Sequence, residues 1–240
     1  MSTTLLSCHR RSRHVMSITT TRSFQCRCGE PLEVTVADSL NAGRHPHLRD
    51  ALIAMELHRF TCEACGATTL VDTPFTYFDH ERKQLFLVLR RGDLASEAEG
   101  IARLAELYKV TFGEAASPGV QALGAGMMVR LCLGVLAVRD KVIADEARLN
   151  DLVLEELKCQ VLASYPELAL HAVVALWLDR VTADELVLLA ESAHAAEHRV
   201  VHVPRAAYDA LLERGAQALL ASRPELVRGP HVSMLRLGLR

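Results

Sequence analysis

Two short cysteine pairs constrain this chain more than any other feature of its 240 residues. Cys26-Arg27-Cys28-Gly29 and Cys62-Glu63-Ala64-Cys65-Gly66 each set two thiols on one tight turn, with a glycine directly after the second thiol. Thiolates are soft, strong donors, and four of them in a tetrahedron suit Zn²⁺. One turn can span two corners, so two turns complete the set. The glycines permit a left-handed backbone after each pair, and backbone N–H groups can then point at the sulfurs and offset their charge. Cys26, Cys28, Cys62 and Cys65 are therefore the expected ligands of one structural zinc ion. The first pair is one residue shorter than usual, so its turn must be tighter. His58 or His45 could substitute if one member of that pair were not a ligand. A redox pair at Cys62 and Cys65 is the competing reading, but such pairs normally open a helix in a βαβ unit. This pair sits between apparent strands.

Seven cysteines, four of them in two close pairs, argue against a disulfide framework and for a reducing compartment, so the expected location is the cytoplasm. No segment approaches the roughly 20 apolar residues needed to cross a bilayer. The best candidate, Met127 to Val138, is too short and carries Arg130. Residues 1–22 hold four basic and no acidic residues and no apolar run of signal-peptide length. They read as a disordered arm, within which Met16 could be the start. The whole chain has 27 basic and 29 acidic residues, a formal charge of −2, and residues 23–91 have eight basic and nine acidic. The cysteine-bearing region is not a cationic module, which speaks against a nucleic-acid partner.

Periodicity divides the rest. Leu32, Val34 and Val36 alternate as a strand does. Leu48, Leu52 and Met55 fall on one face of a short helix. Thr68–Tyr77 and Gln84–Leu89 read as two strands joined by a hairpin at Asp79-His80-Glu81. Ser96 and Glu99 match a capping box ahead of a helix with Ile101, Leu104, Ala105 and Tyr108 on one face. Gly113–Gly126, rich in glycine, reads as a loop, and Val129–Leu133 as a strand. Val135–Ala147 and Leu149–Ala163 read as helices, the second with Glu155 and Glu156 on a solvated face opposite Leu149, Val153, Leu157 and Val161. Further on, Leu168–Leu178 has the doubly apolar pattern of a buried strand, with Glu185–Ser192 as its antiparallel partner or, through a second capping box at Thr182, a helix. Val200–Val203 and Val232–Leu239 read as strands. Cys132 and Cys159 sit on apolar stripes and pack as small hydrophobes.

Residues 24–90 resemble the CpXC family, named for its Cys-Pro-x-Cys pairs. The matching stretches are Phe24–Gly29, Asp38–Asn41, Pro46–Leu48, Phe60–Gly66 and Pro74–Asp79, with weaker likeness through Val138–Lys141 and Leu149–Lys158. This chain departs from the pattern in lacking proline in either pair and one residue in the first. The resemblance implies a zinc-ribbon-like part and implies no reaction.

His194-Ala195-Ala196-Glu197-His198 spells an inverted zinc-peptidase motif, in which two histidines would hold a catalytic metal and Glu197 would act as base. It lacks an evident third ligand and the length such a domain needs. Gly119, Gly124 and Gly126 lack the lysine and Ser/Thr pair of a phosphate loop. The expectation is an α+β protein with three parts. These are an arm over 1–22, a zinc-ribbon-like antiparallel β region with helices over 23–163, and a C-terminal region with a second small antiparallel sheet over 164–240. The function expected is non-enzymatic binding or scaffolding of another protein, with no membrane and no nucleic acid. A zinc-dependent hydrolase at His194, Glu197 and His198, or a nucleic-acid-binding ribbon, is the alternative.

Overall fold

The alternating stretch after the first cysteine pair is one arm of a hairpin in the computed structural model, which describes residues 18–170, 172–192 and 199–238. β1 (Ile18–Gln25) pairs antiparallel with β2 (Pro31–Asn41), from Thr19↔Ala37 down to Gln25↔Pro31. β1 therefore starts inside the segment expected to be a disordered arm. Its three consecutive threonines are β-branched and suit a pleated backbone once β2 supplies a partner.

α1 (Pro46–Ile53) opens with its proline, where no helical N–H is needed. It leads to a second hairpin, β3 (Arg59–Thr61) and β4 (Thr68–Leu70). The single strand expected over Thr68–Tyr77 is split in two. Pro74 has no N–H to give a ladder, and β5 (Phe75–Asp79) starts after it, pairing antiparallel with β6 (Gln84–Leu89). At the turn between them Asp79 accepts the backbone N–H groups of Glu81 and Arg82, both at 3.1 Å.

α2 (Glu97–Phe112) follows, without a side-chain cap from Ser96. Glu97 instead turns inward and accepts from His231, Arg236 and Arg228 at 2.6, 2.6 and 3.0 Å. The expected loop over 113–126 contains a helix, α3 (Pro118–Ala125). Its glycines serve close packing as well as turning, since a Cβ on Gly124 would lie 2.5 Å from Phe112 Cβ. Gly124→Ala should push α3 off α2 and cost about 1–3 kcal/mol, measurable as a lower urea midpoint.

β7 (Met128–Leu133) completes a five-stranded sheet of order β1-β2-β5-β6-β7. Pairing is parallel at β2·β5 and β6·β7, so the sheet is mixed, not antiparallel throughout. Only Ser39, Leu40 and Asn41 of β2 pair with β5. The lower half of β2 thus belongs to the cysteine-bearing hairpin and the upper half to the main sheet.

α4 (Val135–Glu146), α5 (Asp151–Ser164) and α6 (Pro166–Leu170) come next. A second, antiparallel sheet of order β10-β9-β8 follows, from β8 (Val173–Val181), β9 (Glu185–Ser192) and β10 (Arg199–Pro204). The buried strand expected from Leu168 begins only at Val173. The Thr182 hydroxyl accepts the N–H groups of Asp184 and Glu185, so it shapes the β8–β9 turn and caps no helix. α7 (Arg205–Glu213), α8 (Ala216–Ser222) and the two-residue strands β11 (Val227–Arg228) and β12 (His231–Val232) follow. The expected terminal strand shortens to β12, followed by one 3-10 turn at Met234–Leu237.

Two apolar cores share α4 and β8. Ala137, Val138, Val142, Ala175 and Trp177 face the main sheet, whereas Ile143, Ala144, Leu176 and Leu178 belong to the core built by α5, α7 and the second sheet. Alternation along β8 explains the division, since successive side chains point to opposite faces.

Charges are buried between these cores. Lys158 Nζ lies 2.8 Å from both oxygens of Asp140 and 3.0 Å from Glu155. Lys141 contacts the same Glu155 oxygen at 3.0 Å, and Arg130 pairs with Asp151 at 2.6 Å. Glu155 and Glu156 are only 3% and 4% exposed, which corrects their expected solvated face. The residues after 223 wrap α5, and the backbone N–H of Met234 donates to Glu155 at 2.7 Å.

Candidate metal centre

Each cysteine pair occupies the turn of one hairpin. In the first, Cys26 N–H donates to Glu30 O at 2.8 Å, and Gly29 N–H to Cys26 O at 2.9 Å. In the second, Cys62 N–H donates to Ala67 O at 2.9 Å, and Gly66 N–H to Cys62 O at 2.8 Å. The turns are closed by the same two bonds, each spanning one residue fewer in the first. That is how the short Cys26-x-Cys28 spacing still forms a closed turn. Gly29 and Gly66 have φ of +94° and +71°, the left-handed geometry expected of them.

The four sulfurs converge. Cys26 Sγ lies 3.6 Å from Cys65 Sγ, and Cys28 Sγ lies 3.8 Å from Cys62 Sγ. All four ligand atoms fall within 4.8 Å of one another. These separations are far beyond a bonded disulfide of about 2.05 Å, and the thiols are free. One cysteine of each turn, Cys26 and Cys62, is buried, and its partner is exposed.

The electrostatics favour a cation. The backbone N–H of Cys28, followed by its thiol, draws Cys26 down to about 7. The N–H of Glu30 acts the same way on Cys28, but the crowding sulfurs of Cys26 and Cys65 overcome it and push that thiol up to about 12. At Cys65 the N–H of Ala67 favours the thiolate, yet the net shift is upward, from the Cys26 and Cys62 sulfurs and burial. Protein dipoles can thus hold one thiolate, whereas several in so small a space repel. A divalent cation among them would remove that penalty and let all four act as ligands. Backbone N–H groups thus favour the thiolate at Cys26, Cys28 and Cys65, the effect expected from the glycine turns.

Neither candidate histidine joins the cluster. His58 is 5% exposed, with Nε2 accepting the backbone N–H of Ala37 at 2.9 Å and its ring set edge-on to Phe75. Burial lowers its pKa to about 4. The folded value lies below the usual 6.5, so the stabilisation it represents is complete above pH 6.5 and is lost as pH falls from there through about 4. Histidine ring signals in an NMR titration should show His58 still neutral at pH 5. His45 packs edge-on against His47. His194, Glu197 and His198 lie outside the described residues. Cys132 and Cys159 are buried as expected, and burial pushes both thiols up to about 12.

Sequence reasoning missed the support around the centre. Val34, Val36 and Val71 form a small core of their own, with Phe24, Leu32 and Phe60 against it. The alternation in β2 was legible, but its partner Val71, in the break between β4 and β5, carries no periodic signal.

No curated protein and no solved structure matches this chain. The sequence model described as CpXC protein matches residues 24–158. The match covers more than half of the chain. It takes in both cysteine turns, the main sheet from β2 to β7, α4 and the first half of α5, and ends at Lys158, the centre of the buried ion pairs. With that extent of agreement, the chain belongs to the CpXC family.

Proposed function

We propose that this protein is a non-enzymatic cytoplasmic binding or scaffolding protein, in which Cys26, Cys28, Cys62 and Cys65 hold one structural Zn²⁺. The observation that carries this reading is the sulfur spacing. A tetrahedron with Zn–S bonds of about 2.3 Å has sulfur–sulfur edges of about 3.8 Å, against 3.6 and 3.8 Å across the two turns. Four thiolates would fill every tetrahedral position. Such a centre keeps no site for an activated water, which supports a structural and not a catalytic ion. The ion would tie together two hairpins that share only a small apolar core. Binding of another protein is the role best suited to such a ribbon beside a well-packed body.

Metal analysis of the reduced, full-length protein tests this. The expected result is one zinc per chain, lost in Cys62→Ser. Zinc retained in that variant would redirect the assignment to the histidines. A second zinc that disappears in His194→Ala would favour the hydrolase.

A further inference from the structure

The two hairpins are joined at one end by the sulfurs and at the other by the small core of Val34, Val36 and Val71, and a groove opens along the seam between them. The groove, of about 580 Å³, is lined by residues 30–34 on one side and by Phe60, Thr61, Glu63 and Ala64 on the other. Successive residues of a strand point to opposite faces, so a wall made of consecutive residues is the edge of β2, not one of its faces. That edge is open. β2 pairs with β1 on one side and with β5 only at Ser39–Asn41, so residues 31–36 have no second strand partner among the described residues. Only the N–H of Ala37, just above, is taken, by His58. β3 likewise pairs with β4 alone.

The chemistry around the edge is specific in sign. Leu32 and Phe60 are half-buried and offer an apolar floor, whereas Glu30, Glu33 and Glu63 are exposed at the rim. No ion pair among the described residues engages these three carboxylates. An open strand edge recruits a strand through main-chain hydrogen bonds, and the neighbouring pockets then choose its side chains.

We propose that this groove takes an extended, lysine- or arginine-bearing peptide segment of a partner protein, added as a strand at the edge of β2 with an apolar side chain between Leu32 and Phe60. This names the partner class for the binding role proposed above, and it rests on that role. The occupant is cationic because the rim is acidic and uncompensated. It is extended because the recognising groups are a strand edge.

The test uses full-length protein of measured zinc content and a fluorescent eight-residue peptide alternating lysine with valine or leucine, followed by anisotropy. Saturable binding is expected. It should weaken roughly tenfold in the exposed double variant Glu33→Lys, Glu63→Lys, and be lost when alternate peptide nitrogens are methylated, which removes strand donors and keeps the side chains. Amide NMR shifts should cluster at residues 31–36 and 59–61. Zinc-loaded protein that ignores the peptide, binds the methylated form equally, or shifts elsewhere would overturn the proposal. So would self-association through the same amides, which would assign the groove to a second copy of this chain. The two readings fail separately, since zinc without peptide binding removes the groove assignment, and peptide binding without zinc keeps it and removes the metal.

Discussion

Stripping the metal with a chelator is expected to unfold the two cysteine hairpins and leave the β5, β6 and β7 part of the main sheet standing. Structural zinc contributes on the order of 10 kcal/mol of apparent folding free energy in small modules. Little else is available to replace it here. The hairpins own three buried valines, against a backbone ordering cost of about 1–2 kcal/mol per residue. Crowded thiolates without a cation would add repulsion. The upper half of β2 is held differently, because Leu40 is fully buried in the main core and Ser39–Asn41 pair with β5. Hydrogen exchange is the discriminating measurement. Amides of residues 24–36 and 59–70 should lose protection on chelation and in Cys62→Ser, while those of β6 and β7 keep theirs. Loss of protection throughout would mean that the metal supports the entire fold, and unchanged protection would mean that it supports nothing.

Lys158→Met is expected to destabilise the whole protein by about 3–5 kcal/mol, the usual cost of removing one partner from a buried ion pair. Lys158 is 1% exposed and is the main counter-charge of Asp140. Burial raises the Asp140 pKa, and Lys158 is the first of the groups that oppose it. Without that ammonium, Asp140 must ionise with no cation in contact or take up a proton, and Glu155 keeps only Lys141. Burial disfavours Lys141 as a cation, yet Glu155, Asp151 and Asp140 hold its pKa above the usual value; its charge already acts on Asp140 but is shared with the other two carboxylates, so it does not replace the direct contact of Lys158. For a chain of this size the loss corresponds to a fall in melting temperature of roughly 6–20 °C. Adding Asp140→Asn should recover part of it by deleting the stranded charge. Full recovery is not expected, since Asp140 also accepts the backbone N–H of Leu178. Urea titrations of the wild type, the single variant and the double variant would settle the sizes. A single variant within about 0.5 kcal/mol of wild type would show the cluster to be dispensable.

This cluster marks the limit of what local pattern conveys. Cys26, Cys28, Cys62 and Cys65 were legible because thiols at turn spacing, each pair followed by glycine, have few other uses, and the φ values of Gly29 and Gly66 agree with the turns. Of the helical stripe Ile101, Leu104, Ala105 and Tyr108, all but the exposed Ala105 face inward, and with the alternation of Leu32, Val34 and Val36 they were legible because burial on one face repeats at the period of the backbone. Glu155 and Glu156 misled for the same reason. Charged residues on one side of a helix signal solvent unless opposite charges arrive from elsewhere, and here Lys141 reaches Glu155 from another helix and Arg223 reaches Glu156 from the C-terminal region. Gly124 read as loop because glycine marks a turn and a close helix contact alike.

The sequence by itself determined the parts whose cause is local, namely the two glycine-closed thiol turns, the helices with an apolar stripe and the hairpin at Asp79. Tertiary structure alone decided that β2 carries β1 on one side and runs parallel to β5 on the other, that β7 runs parallel to β6, and that five charges of α4 and α5 meet out of water. Each of these joins groups that are distant along the chain. Backbone pairing and Coulomb attraction act through space, and no residue's own preference encodes the partner that folding will bring to it.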